Sequence, residues 1–108
     1  MNILLRPQRD LDIKGASLLQ QKVYSLMPIP EQSILAVDLV QVERIDHFGL
    51  TTLMAVRRVA EKYRCQLYLT NLRLEVSYML EVAELADEFK LLDSLDGVFE
   101  SKLRVLLC

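Results

Sequence analysis

Tryptophan is absent from this 108-residue chain, histidine occurs once, and cysteine, glycine and proline occur only two, three and three times. Each scarcity excludes something. A structural zinc site normally takes four Cys or His ligands. Cys65, Cys108 and His47 cannot supply that set within one chain. Cys65 opens an apolar strand and reads as a buried small hydrophobe. Cys108 is the last residue, so it is not a prenylation box. One histidine and a buried cysteine do not form a nucleophile–base pair without a third orienting group. No Gly-rich phosphate loop and no paired-metal ligand set is present. The sequence therefore leads us to expect neither an enzyme nor a bound metal or cofactor.

Charge of one sign is also lacking. The formal net charge is −2, so no broad electrostatic footprint for nucleic acid is expected. No apolar run approaches the roughly 20 residues that cross a bilayer, so no membrane insertion is expected. Met1 to Arg6 is too short for a secretion signal and Pro7 interrupts it. The cytosol is the expected location.

Apolar residues make up 52% of the chain, enough for a core, and the length suits one domain over 1–108. Ile3 to Arg6 reads as a strand and Leu11 to Ile13 as a second extended piece. Ala16 to Met27 reads as a helix, with Leu19, Val23 and Leu26 on one face. The loop Pro28-Ile29-Pro30-Glu31-Gln32-Ser33 follows, since its prolines block helix and central strand. Ile34 to Val40 reads as a buried strand. Leu50 to Arg64 is the clearest helix, Gln66 to Thr70 the next strand, Leu74 to Leu85 a third helix and Phe89 to Leu92 a short strand. Ser94 can cap a last helix from Leu95. Strands alternating with helices indicate an α/β fold with a parallel or mixed sheet, and a mixed central sheet of about four to five strands covered by about four helices is expected.

The most informative stretch is Val42-Glu43-Arg44-Ile45-Asp46-His47-Phe48-Gly49-Leu50. It joins a strand to the clearest helix, which is expected to start at about Gly49. The first N–H groups of a helix lack intrahelical partners and carry the positive end of its dipole. Such a corner can hold an anion or dock a partner loop. Asp46 can cap the helix. Asp38 ends a central strand as a phospho-accepting aspartate does in receiver domains. Asp10 and Asp12 poorly imitate the acidic pair those domains need, and no lysine follows the Gln66 to Thr70 strand. Asp38 is thus expected to order the exit loop.

These elements resemble the STAS domain of anti-sigma-factor antagonists from about Ile3 to Phe99. Asp10-Leu11-Asp12 is similar to the family's Gly-x-Leu-Asp entry to its first helix. Leu35-Ala36-Val37-Asp38-Leu39 is similar to its central strand. Ile45-Asp46-His47-Phe48-Gly49-Leu50 falls where the family has a hydrophobic residue and Asp-Ser-Ser-Gly-Leu. Gln66-Leu67-Tyr68-Leu69-Thr70-Asn71, Leu85-Ala86-Asp87-Glu88-Phe89 and Asp93-Ser94-Leu95 resemble later segments. The resemblance implies a STAS-like fold and partner switching with a kinase-like anti-sigma factor, which phosphorylates the second serine of that motif. Phe48 stands at that position and has no hydroxyl. The usual switch is then absent, moved or replaced; Thr51 and Thr52 are the alternative phosphosites. Two further departures stand out. Glu84 replaces a helix-closing glycine and cannot easily take the left-handed cap conformation, so this end is expected to be built differently. The chain also begins almost on its first strand, where relatives carry one more. The apolar tail Leu103 to Cys108, or an identical subunit, would then cover the exposed edge.

Partner contact is expected at Asp46, His47, Phe48, Gly49, Thr51, Thr52, Arg57 and Arg58, with nearby residues after Asp10 and Asn71. His47 is either a solvated turn residue or a contact. Phe48 either anchors a partner pocket or folds back onto the core. Arg57, Arg58, Lys62 and Arg64 form a basic face, either solvated or docked to an acidic partner. The expected partner is an anti-sigma-factor-like serine kinase or another signalling protein. The alternative is a STAS subunit stabilising a larger assembly, such as a transporter ATPase or a stressosome-like complex. A homodimer stays open.

Overall fold

Apolar strands and amphipathic helices alternate along the chain, as the pattern demands. The computed structural model describes residues 1–93 and 103–108. Its elements are β1 (Asn2–Arg6), α1 (Ile13–Leu26), β2 (Ile34–Asp38), α2 (His47–Lys62), β3 (Gln66–Thr70), α3 (Leu74–Val82), β4 (Lys90–Leu92) and β5 (Leu103–Leu107). A 3-10 turn, Ala86–Glu88, precedes β4. The expected helix from Leu95, capped by Ser94, lies outside the described residues.

The five strands form one sheet in the order β4-β3-β2-β1-β5, and every neighbouring pair is parallel. The expectation of a mixed sheet is thus corrected. Each step from β1 to β4 crosses over through helical structure, which returns the chain to the same end of the sheet. Three α-helices cover it among the described residues, and the expected fourth lies outside them.

Alternation along the strands sets the core. Ile3, Leu5, Leu35, Val37 and Leu69 share a cluster with Leu19 and Val23 of α1, Leu53 and Val56 of α2, and Val76 and Leu80 of α3. Leu4 and Ala36 point to the opposite face and are also fully buried. Burial on both faces is why these strands read as continuous apolar runs. Each buried Leu or Val contributes roughly 1.5–3 kcal/mol of transfer free energy.

The apolar tail covers the edge beside β1. β5 runs parallel to β1 from Asn2↔Leu103 to Arg6↔Leu107, and the Cys108 N–H donates to the Arg6 carbonyl at 3.0 Å. The first strand therefore offers no free edge to an identical subunit.

The end of α3 corrects another expectation. Glu84 does adopt the left-handed conformation, at φ 59°. The Leu85 N–H then reaches the Leu80 carbonyl at 2.8 Å. That is the closure a glycine would give. α2 ends alike, with Arg64 at φ 57° and the Cys65 N–H on the Ala60 carbonyl at 2.8 Å. Leu85 and Cys65, one residue on, pack against the core.

Candidate partner-docking corner

Two loops meet where the strands end. Leu11, between β1 and α1, forms a parallel bridge with Ile45, between β2 and α2. The Leu11 N–H donates to the Arg44 carbonyl at 3.1 Å, and the Asp46 N–H to the Leu11 carbonyl at 3.3 Å. Asp10 adds a clamp: its Oδ1 accepts from the N–H groups of Glu43 and Arg44 at 2.9 and 3.1 Å. The expected extended piece Leu11 to Ile13 is thus a single bridge, because Asp12 turns the chain into α1.

The same short pattern builds both helix starts. Leu11-Asp12-Ile13-Lys14-Gly15 and Ile45-Asp46-His47-Phe48-Gly49 each read apolar-Asp-x-x-Gly. Asp12 Oδ1 accepts from the Gly15 N–H at 2.9 Å. Asp46 Oδ1 accepts from the N–H groups of Phe48 and Gly49 at 2.9 and 3.1 Å. Each aspartate thereby satisfies first-turn donors. Both glycines are demanded by crowding: a Cβ on Gly15 would strike the Asp10 carbonyl, and one on Gly49 would strike the Leu11 carbonyl and the Ile45 side chain. The hydrogen bond from Gly15, helped by the nearby Arg9 charge, holds the Asp12 carboxyl below its ordinary pKa.

Behind the corner lies Asp38, only 2% exposed. Its carboxylate accepts from Arg6 Nε at 2.9 Å, from the Val40 N–H at 3.1 Å and from Asn71 Nδ2 at 2.9 Å. It ties the exits of β2 and β3 together and orders the loop, as expected. Every buried acceptor lone pair met in this way avoids a desolvation penalty.

The structure sorts the proposed contact residues. His47 and Phe48 stand in the first turn of α2, which starts earlier than Gly49 because Asp46 is its cap. Both are exposed, with ring centroids 4.2 Å apart. Phe48 remains 43% exposed, so its ring is not folded into the core. Thr51 faces solvent, but Thr52 is 6% exposed. That burial corrects Thr52 as a surface contact and phosphosite: it shares the inward stripe of Val56 and Ala60. Arg57 lies nine residues beyond Phe48, roughly 13 Å along the axis and on the opposite side of the helix. It is ion-paired with Glu61 at 3.2 Å and Glu88 at 3.1 Å. It therefore belongs to another surface and is no free docking cation. Arg58 is exposed and makes no ion pair with the described residues, but it too lies well down the helix.

A groove of about 330 Å³ opens between the paired loops and α3. Its apolar walls are Leu11, Ile45 and Met79, and Asp10, Asp12, Asp46, Glu75 and Arg44 stand around them. Ile13, at the start of α1, is 61% exposed. Residues after Asp10 were expected on this surface without being named, whereas Glu75 and Met79 of α3 were not expected there. The doubled apolar-Asp-x-x-Gly pattern was the signal available for Asp12 and Ile13; α3 came close only through the fold. Burial pushes both cysteine thiols above their ordinary pKa, with Lys22 partly offsetting this at Cys108. No helix among the described residues is long and apolar enough to cross a membrane.

A parallel five-stranded sheet with capped helix starts gathered at one corner defines a small α/β domain. The chain belongs to the "Mlab, STAS domain" family, whose profile matches residues 4–93. A solved Thermotoga maritima protein, described as a candidate anti-sigma factor antagonist, shares the fold at a TM-score of 0.76. It is 20% identical, over 91% of this chain and 85% of that one. No curated protein gives a match.

Proposed function

We propose that this protein is a non-catalytic binding module that docks a protein partner through the Asp46–Thr51 corner and acts in partner switching without a serine switch. The observation that carries this reading is Phe48: a phenyl ring 43% exposed on a capped helix start. Exposed aromatic rings at a rigid corner make good anchors for a partner pocket. We read Phe48 as standing at the family's phosphoacceptor position, and on that reading the partner is an anti-sigma-type serine kinase or a related cytosolic signalling protein. With no hydroxyl at Phe48 and Thr52 buried, a displaced switch in this turn would have to use Thr51.

The test is affinity capture from the native cell with wild type beside Phe48→Asp and Phe48→Ser, read by mass spectrometry. A kinase-like protein held by wild type and lost with Phe48→Asp is the expected result. The same proteins in all three samples would overturn the docking site. A phosphate on Thr51, with regulation lost in Thr51→Ala, would overturn the absence of a switch.

The same exposed ring favours one second reading, a permanent subunit of a larger assembly such as a transporter ATPase or a stressosome-like complex. An apolar anchor suits a lasting interface, where a switchable serine is not needed. Stoichiometric capture of transporter or assembly subunits in place of a kinase would select it.

A further inference from the structure

We infer that the groove beside Phe48 takes a basic, apolar segment of the partner, with arginine side chains laid across its floor. This rests on the docking reading above and names the chemistry of the occupant. The accessible apolar part of the groove is mainly Met79, with Ile45 and Leu11 buried beneath it. The groove's volume, about 330 Å³, suits one or two large side chains.

Charge selects among apolar occupants. Asp10 and Asp46 each use only Oδ1 to hold backbone N–H groups. Their second oxygens have no hydrogen-bond partner among the described residues. Arg9 reaches Asp12 only loosely, at 3.7 Å. Among the described residues lining the groove the one cation, Arg44, meets Glu75 at a similar 3.7 Å, with both side chains mostly exposed. Such a pair is weak and readily rearranged. An arginine fits both halves of this surface: its aliphatic stem covers apolar floor, and its several guanidinium N–H groups can donate charge-assisted bonds to the second oxygens of the carboxylates. An acidic segment would face carboxylates that no described cation neutralises tightly. A purely apolar one would bury them unpaired.

The experiment titrates the isotope-labelled full chain with a short synthetic Arg/Leu peptide, and with its twin carrying Glu for Arg, followed by amide spectra. The expected result is saturable shifts at Gly15, Arg44, Phe48 and Gly49 with the arginine peptide and none with the twin. Asp10→Asn with Asp46→Asn keeps an oxygen for each N–H, so the fold should persist. It should weaken the arginine peptide about tenfold, as expected for charge-assisted bonds. Glu75→Gln, which caps nothing, gives a second reading of the charge effect.

Equal shifts with both peptides, no shifts at the corner, or unchanged binding in both charge variants would overturn the inference. The two claims separate cleanly. If Phe48→Asp loses the captured partner while the charge variants bind peptide like wild type, the docking site stands and the basic occupant falls. If the arginine peptide binds here but Phe48→Asp keeps every captured protein, the groove chemistry stands and the docking reading falls.

Discussion

Gly49 sits against Leu11 so closely that a Cβ at 49 would overlap the Leu11 carbonyl oxygen. This contact joins the start of α2 to the loop that leads into α1. It explains a glycine in a helix's first turn, where alanine would otherwise be favoured by roughly 1 kcal/mol. Gly49→Ala should therefore destabilise the fold by about 1–3 kcal/mol, the usual cost of overpacking. Urea unfolding measures it. A stabilised Gly49→Ala would show that the close approach is absent.

Asp46 should matter through its oxygen more than its charge. Asp46→Ala removes the acceptor for two N–H groups and should cost about 0.5–2 kcal/mol, whereas Asp46→Asn should keep most of it. Equal losses in both variants would mean that charge, through the helix dipole, dominates.

Asp12 makes a pH prediction. Its folded pKa lies below the ordinary value of 3.8, first because of the Gly15 hydrogen bond. A depressed carboxyl stabilises the fold above the unfolded pKa, and the contribution disappears as pH falls through the folded value. Asp12→Ser keeps a cap oxygen but cannot titrate. The stability difference between wild type and Asp12→Ser should therefore be constant from pH 7 to about 5 and shift against wild type below about 4. Unfolding curves across that range check the sign. A difference that moves in favour of wild type on acidification would refute it.

Asp38 should outweigh its partner Arg6. Asp38→Ala leaves the Arg6, Asn71 and Val40 donors without their shared acceptor, and should cost about 2–4 kcal/mol. Arg6 is one-third exposed, and Arg6→Ala leaves Asp38 two donors, so its loss should be clearly smaller. Thermal melts of the two variants decide it.

Glu84 and Arg64 hold left-handed conformations that glycine adopts without strain. Glu84→Gly and Arg64→Gly should each stabilise by up to about 1 kcal/mol, after the extra backbone entropy of glycine is subtracted. A drop in melting temperature for both would show that these side chains contribute more than their backbone strain removes.

Much of this architecture could be read from spacing. β3 spans Gln66 to Thr70 as expected, around the apolar run Leu67 to Leu69, and α2 and α3 follow their stripes. The misreadings have physical causes. Gly49 marked the start of α2 in the sequence, yet Asp46 caps it and the glycine serves the Leu11 contact. Thr52 looked as available as Thr51, although it sits four residues before Val56 and eight before Ala60, on the buried stripe. Arg57 read as a partner contact on a solvated or docking face because Glu88, its ion-pair partner from the turn after α3, is distant in sequence. The alternation allowed a parallel or a mixed sheet, and the direction of β5, reached from β4 at the far side of the sheet, could not be told from spacing. The groove was invisible because Met79 and Glu75 meet Asp10 only after three crossovers have closed.

Hydrogen exchange of the chain alone and in its captured complex tests the central claim most directly. Docking at this corner predicts slowed exchange in residues 10–15 and 43–51, with the far end of α2 around Arg57 to Lys62 unchanged. Protection confined to α2 beyond Arg57, or to the β5 edge, with the corner exchanging as in the free chain, would contradict it.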